Sequence, residues 1–228
     1  MLKKFPHKRV SKEDNFSYLL YSLIFLLFSN AFIGQFFARS LLGQSLVLAF
    51  TVITMLIGVW SVRSNAFAFK SSIGLVLSTI VISSLVTFLG ISGLKYFHLL
   101  FMLIFFSITL KIASEQVIFS DKVTKNNIIG SICIFLLLGL LWAILYIFAS
   151  ELTTNAFSGL SGEHWQDNFP DLIYFSFVTL TTLGFGDLLP LSPIARFLTY
   201  IEAIIGVFYM AIIVSSLVSA AINAPKDH

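Results

Sequence analysis

The chain has 228 residues, of which 57% are hydrophobic and 11% charged, with a formal net charge of +3 and a mean hydropathy of +0.94. Soluble domains carry about a quarter charged residues, so this composition excludes an ordinary soluble domain and indicates a polytopic membrane protein. So small a charge gives no reason to expect nucleic acid. The single cysteine, Cys133, excludes an intrachain disulfide and a cysteine-cluster metal site.

Lys3, Lys4, Lys8, Arg9 and Lys12 open the chain. Two readings stand for this cluster: retention of the N-terminus on the cytoplasmic side, or binding of anionic lipid headgroups. Charge-free apolar runs follow, from Phe16 to Ala38, Leu41 to Val62, Ser71 to Leu94, Tyr96 to Leu110 and Asn126 to Ser150. A sixth, from Phe197 to Ala224, is interrupted only by Glu202. A helix needs about 20 residues to cross the hydrocarbon core, which all but the fourth approach. The fourth is flanked by Lys95 and Lys111, which can snorkel to the two interfaces. The first run lacks a small-x-small exit site, so no cleavable signal peptide is expected. Trp60 suits an interfacial anchor, whereas Cys133, Trp142 and Tyr146 read as packing residues of the fifth run.

The expected fold is thus all-α, with six transmembrane helices. Placing both termini in the cytoplasm puts only Arg39, Lys95 and Arg196 outside, whereas the inverted topology reverses nearly all of the Lys and Arg distribution. Residues 1–112 form a four-helix block, 113–127 a cytoplasmic linker and 128–228 the remaining unit. Val117, Ile118 and Val123 give the linker an apolar side, as for a short helix along the membrane surface. With few residues after Ile222, no cyclic-nucleotide or calcium-binding module is expected at that end.

Between the fifth and sixth runs the chain carries Glu151, Glu163, Asp167 and Asp171 with no Lys or Arg. A short amphipathic stretch, Asp171 to Thr181, leads into Thr181-Thr182-Leu183-Gly184-Phe185-Gly186-Asp187. In an extended segment whose carbonyls all point one way, alternate residues need backbone angles that side chains resist. Gly184 and Gly186 are spaced for that. The string looks like the selectivity filter of a potassium channel, a resemblance that implies that the carbonyls of Thr182, Leu183, Gly184 and Phe185, with the Thr182 hydroxyl, replace the water of a monovalent cation. His7, His98, His164 and His228 are too scattered for a metal site. No nucleophile–base pair or phosphate loop appears, so neither an enzyme nor a cofactor is expected.

The span–loop–span arrangement and this string resemble the pore-loop potassium channels, more closely their small bacterial six-transmembrane members. The match runs from about Thr124 to Ala221, through Gly130 to Gly139, Tyr174-Phe175-Ser176, the filter, Pro190, Arg196, Glu202 and Gly206. The resemblance implies a homotetramer in the bacterial plasma membrane. Each subunit would give one filter strand, and one pore helix whose partly negative C-terminal end faces a central cavity. It also implies that Gly186, Asp187, Tyr174, Thr179 and Glu202 support the filter, with Tyr174 donating to Asp187 behind it.

Three departures stand out. The fourth run lacks the arginine or lysine at every third position that voltage-gated relatives carry. His98 cannot substitute for that row, so strong voltage gating is not expected. Phe185 replaces a tyrosine whose hydroxyl braces the filter; either the filter is more prone to collapse or apolar packing compensates. Val178 stands where some relatives have glutamate.

Glu202 is the only charge within the sixth run, and Arg196, six residues earlier, is too far for a same-helix pair. A partner on the pore helix or the fifth span is expected. Three readings stand for Glu202: a brace behind the filter, a proton-sensitive element, or a neutral buried acid. Gly206 is a bend point or a packing glycine. Met210, Val214, Leu217 or Val218, and Ala221 share a face that would line the inner pore and could gate it by dewetting. The functional expectation is passive potassium conduction. The alternatives are a weakly selective cation channel, a non-conducting subunit, or a secondary transporter, for which the duplicated halves are missing.

Overall fold

The computed structural model describes residues 15–37, 40–61, 66–89, 92–118, 124–160, 162, 164–215 and 219. The N-terminal basic cluster, Arg39, Lys122, Val123, Glu163, Leu217, Val218 and Ala221 lie outside the described residues, as do the side chains of Trp60 and Val214. Seven α-helices are described: α1 (Asn15–Phe36), α2 (Leu41–Ser61), α3 (Ala66–Leu89), α4 (Lys95–Ile118), α5 (Lys125–Leu152), α6 (Trp165–Leu180) and α7 (Pro193–Phe208). A 3-10 turn, Ser92–Leu94, precedes α4, and α7 continues as a π-helical segment, Tyr209–Val214.

Among the described residues four helical stretches are long and apolar enough to cross a membrane: Phe16–Phe36, Lys95–Ile118, Lys125–Leu152 and Pro193–Ile212. In α2 and α3 the apolar stretches that qualify are shorter, Ser45–Val59 and Ser72–Ile82.

The core centres on α5, which packs against α1, α4, α6 and α7. Cys133, Leu137, Leu140, Ile144 and Ile147 are fully buried at alternating spacings of four and three residues, one continuous helical stripe. α5 starts at a capping box in which Thr124 accepts from the Asn127 amide and Asn127 from the Thr124 amide. α1 lies along α5, with Leu19, Leu23 and Leu26 buried, and the Cys133 thiol donates to the Phe16 carbonyl at 3.4 Å.

Three boundaries differ from the sequence reading. The fourth helix runs to Ile118, well past Leu110. The apolar run ends at Lys111, but the helix continues with Ile112, Ala113 and Val117 buried, while Lys111 and Glu115 lie 3.9 Å apart on its exposed side. The helix expected from Asp171 begins six residues earlier, at Trp165, and carries Pro170 inside it. α7 begins at Pro193, where Ser192 caps it by accepting from the Ala195 amide at 3.2 Å.

A two-residue ribbon pairs β1 (Phe157–Ser158) with β2 (Leu189–Pro190), antiparallel. It ties the segment after α5 to the segment after the glycine-rich string. Arg196 reinforces this tie: its Nε donates to the Pro190 carbonyl at 3.1 Å. Lys95 at the start of α4 meets Glu151 near the end of α5 at 2.5 Å. Beside it, buried His98 lies against the ring of Trp165, the first residue of α6, with centroids 5.4 Å apart.

Candidate functional site

The glycine-rich string emerges from the C-terminal end of α6. Thr181 donates its amide to the Phe177 carbonyl, Thr182 to Thr179 at 2.9 Å, and Leu183 to Val178 at 2.9 Å. The amides at the start of the string thus turn back to satisfy carbonyls that the helix end would leave open. Beyond the helix, φ is positive at every second residue: 60° at Thr182, 58° at Gly184 and 78° at Gly186. The two glycines adopt this region without penalty. Thr182 does not; a β-branched residue there is strained, a feature that concentrates at functional sites.

This alternation has a chemical consequence. Among the described residues no hydrogen bond is made to the carbonyl of Thr182, Leu183, Gly184 or Phe185. Four consecutive backbone oxygens on one exposed segment are left as acceptors, and Leu183 and Phe185 side chains are themselves exposed in the single chain.

Two groups of side chains stand behind the strand. At its C-terminal end the Tyr174 hydroxyl donates to Asp187 Oδ2 at 2.7 Å, and the Leu188 amide donates to Oδ1 at 3.0 Å. The Tyr174 hydroxyl first, and the backbone amides after it, hold the Asp187 carboxyl below its ordinary value. Asp171, one turn before Tyr174, is pushed up, by burial first and by the charge of Asp187 second. Phe175 offers no polar contact; its ring meets those of Tyr146 and Phe157 edge-on, with centroids 5.0 and 5.4 Å away.

Deeper in, Glu202 of α7 is wholly buried. Tyr146 on α5 donates to its Oε2. On its other side, Ser176 Oγ of α6 lies 2.5 Å from Oε1 and 2.8 Å from the Gly139 carbonyl of α5. The carboxyl is therefore shared between two helices, and Arg196 takes no part. From sequence, Tyr146 reads as a packing residue and Ser176 carries no expected role. The available signal was Glu202 itself, because an intramembrane carboxyl demands donors from whatever faces it.

Gly206 lies against the end of α6. A Cβ placed there would sit 2.2 Å from the Leu180 carbonyl oxygen, so only glycine allows the two backbones to approach this closely. Gly206, Met210 and Thr182 line one cavity of about 630 Å³ with Ile132, Phe135 and Val207. Three residues beyond Gly206 the π-helical segment begins, and the buried Tyr209 hydroxyl donates to the Ser131 carbonyl of α5 at 2.5 Å. Thr179 is buried under the strand, its carbonyl taken by the Thr182 amide.

Residues 129–223 match the Ion_trans_2 family, described as an ion channel. The inward rectifier potassium channel Kirbac3.1 of Paramagnetospirillum magnetotacticum is 30% identical over 92 residues, covering 40% of this chain. The matched segment spans 28% of that relative's length. No solved structure matches the chain.

Proposed function

We propose that the chain, of which residues 129–223 match an ion-channel family, is a potassium-selective channel of the pore-loop type, conducting passively through a fourfold pore. The observation that carries this reading is the row of four unpartnered carbonyls, Thr182 to Phe185, on a strand with positive φ at alternate residues. Four copies around an axis would surround a dehydrated ion with oxygens, the Thr182 hydroxyl adding one at the inner end. The C-terminal end of α6, with partial negative charge, points toward the same axis.

Asp187, Tyr174, Gly186, Thr179 and Glu202 then support the filter from behind, and Gly206, Met210, Val214 and Val218 belong to the inner pore. In this reading α1–α4 and α5–α7 form six spans with α6 re-entrant, and both termini face the cytoplasm of a bacterial inner-membrane protein. The described residues favour a structural role for α1–α4. Of the two lysines on α4, Lys95 is tied to Glu151 and Lys111 lies beyond the apolar run. Moving one charge through the field is worth about 2.3 kcal/mol per 100 mV, and steep gating needs several per subunit. Gating charge well below that of arginine-rich channels is expected; a comparable value would refute this part.

The test is purified protein reconstituted alone into liposomes with a potassium gradient. Potassium flux that scales with protein supports the reading. No flux from tetrameric protein rejects it in favour of a non-conducting subunit.

A further inference from the structure

We propose that Glu202 is held as an uncharged carboxylic acid, and that its proton completes a chain of hydrogen bonds joining α5, α6 and α7 behind the filter. The basis is a count of hydrogens. Three oxygen–oxygen contacts meet at this site: Tyr146 with Glu202 Oε2, Glu202 Oε1 with Ser176 Oγ, and Ser176 Oγ with the Gly139 carbonyl. Each contact needs one hydrogen between its oxygens, and Tyr146 and Ser176 supply one each. With a carboxylate at Glu202, one contact on Ser176 would set lone pair against lone pair at hydrogen-bond distance. A proton on Oε1 removes the conflict. Glu202 then donates to Ser176, Ser176 donates to Gly139, and Tyr146 donates to Oε2, so every contact holds one hydrogen.

The surroundings agree. Glu202 is fully buried and makes no ion pair among the described residues. From α5 the titratable group that meets it is Tyr146, and from α6 it meets the hydroxyl of Ser176. On α7 itself Arg196 gives its Nε to Pro190, and neighbouring Thr199 donates to the Ala195 carbonyl at 2.8 Å. A lone carboxylate in such a place would be costly, and a neutral acid avoids that cost while still donating one bond. Glu202 is thus a positioning residue: it acts on the filter through Ser176 and the body of α6. Ionisation would leave Ser176 one hydrogen for two acceptors, Glu202 and the Gly139 carbonyl, so one of these bonds is lost and alkaline pH should loosen α6 against α5 and α7.

The proton itself can be tested without any assumption about conduction; only its effect on current rests on the proposed function. Infrared spectra of full-length protein in lipid, with and without carbon-13 labelled glutamate, should show a glutamic-acid carbonyl band at neutral pH. Labelling glutamate alone separates it from Asp171. The band should disappear in Glu202→Gln and fade reversibly in the natural protein as pH is raised. A spectrum showing only glutamate carboxylate at neutral pH overturns the proposal, whether or not the variant folds. In flux assays Glu202→Gln, whose amide reproduces one donor and one acceptor, should keep potassium flux and lose its alkaline decline. Glu202→Ala and Ser176→Ala should lower flux several-fold. The band present with no flux at any pH leaves the proton in place and removes the channel reading. Flux from the natural protein that declines at alkaline pH identically in Glu202→Gln contradicts the coupling.

Discussion

The four N-terminal helices and the three C-terminal ones use their buried polar groups in opposite ways. In α1–α4 these groups mostly bond back to their own helix: Ser22 to Leu19, Asn30 to Leu26, Thr51 to Val47, Thr79 to Leu75 and Thr109 to Phe105. Around the filter they reach between elements: Tyr146 and Ser176 to Glu202, Tyr174 to Asp187, Tyr209 to Ser131, Arg196 to Pro190. Lipid tails are as apolar as leucine, so burial alone does little to fix one membrane helix against another. Directional bonds do. Among the described residues the first unit is held mainly by packing, and the second also by bonds between elements that specify position. An ion-coordinating segment, the role proposed for residues 182–185, needs the second kind, because carbonyl geometry tolerates little displacement.

Substitutions can break this contrast. The largest effect is expected at Gly206. An added Cβ would meet backbone that cannot move without displacing the end of α6. Overpacking costs about 1–3 kcal/mol and occasionally more, and Gly206→Ala should fall at the upper end. Thermal unfolding of the purified protein together with flux should show both lowered. An alanine variant with natural stability and flux would mean that α6 and α7 are not closely packed here.

Next comes Tyr174→Phe, which removes the donor to Asp187 and leaves the ring. Open-state lifetime and potassium-over-sodium preference in single-channel recordings should fall several-fold; unchanged values would dismiss the outer brace. The same bond sets a pH expectation. The folded carboxyl of Asp187 titrates below its free value, so the bond's contribution is complete above about pH 4–5, near the free aspartate value. It is lost only as acid carries pH down through the lower folded value. Filter stability that decays already between pH 7 and 6 would contradict this.

Lys95→Met severs the one ion pair shown between α4 and α5 among the described residues. Exposed or half-exposed pairs contribute about 0.2–1 kcal/mol, so a small loss of thermal stability with unchanged selectivity is expected. The smallest effect belongs to the N-terminal unit's internal bonds. Thr109→Val should change stability by about 0.6 kcal/mol or less, the average for membrane-helix hydroxyl bonds. A loss as large as that of Gly206→Ala would erase the distinction between the two units.

The alternating backbone of the glycine-rich string was legible because it is local: seven adjacent residues contain the glycines and the flanking aspartate. What the string concealed was Thr182, which shares the positive φ of Gly184 and Gly186 although its side chain resists it. Local propensity cannot reveal a residue held in strain by its neighbours' bonds. Glu202 stood out from sequence as a misplaced charge, yet its partners lie 56 and 26 residues away, on helices whose rotation the sequence leaves open. Helix ends went astray for a related reason. Charge marks the limit of an apolar run, whereas α4 and α7 include Lys111 and Arg196 without interruption. The amphipathic stretch read from sequence begins at Asp171, whereas α6 begins at Trp165 and holds Pro170 in its second turn.

The most direct measurement is the bi-ionic reversal potential of the purified protein, with potassium on one side of the bilayer and sodium on the other. A strand offering four dehydrating carbonyls per subunit should drive the reversal potential far toward the value for a potassium-only conductor. A reversal near zero, from protein that demonstrably conducts, would contradict potassium selection by residues Thr182 to Phe185.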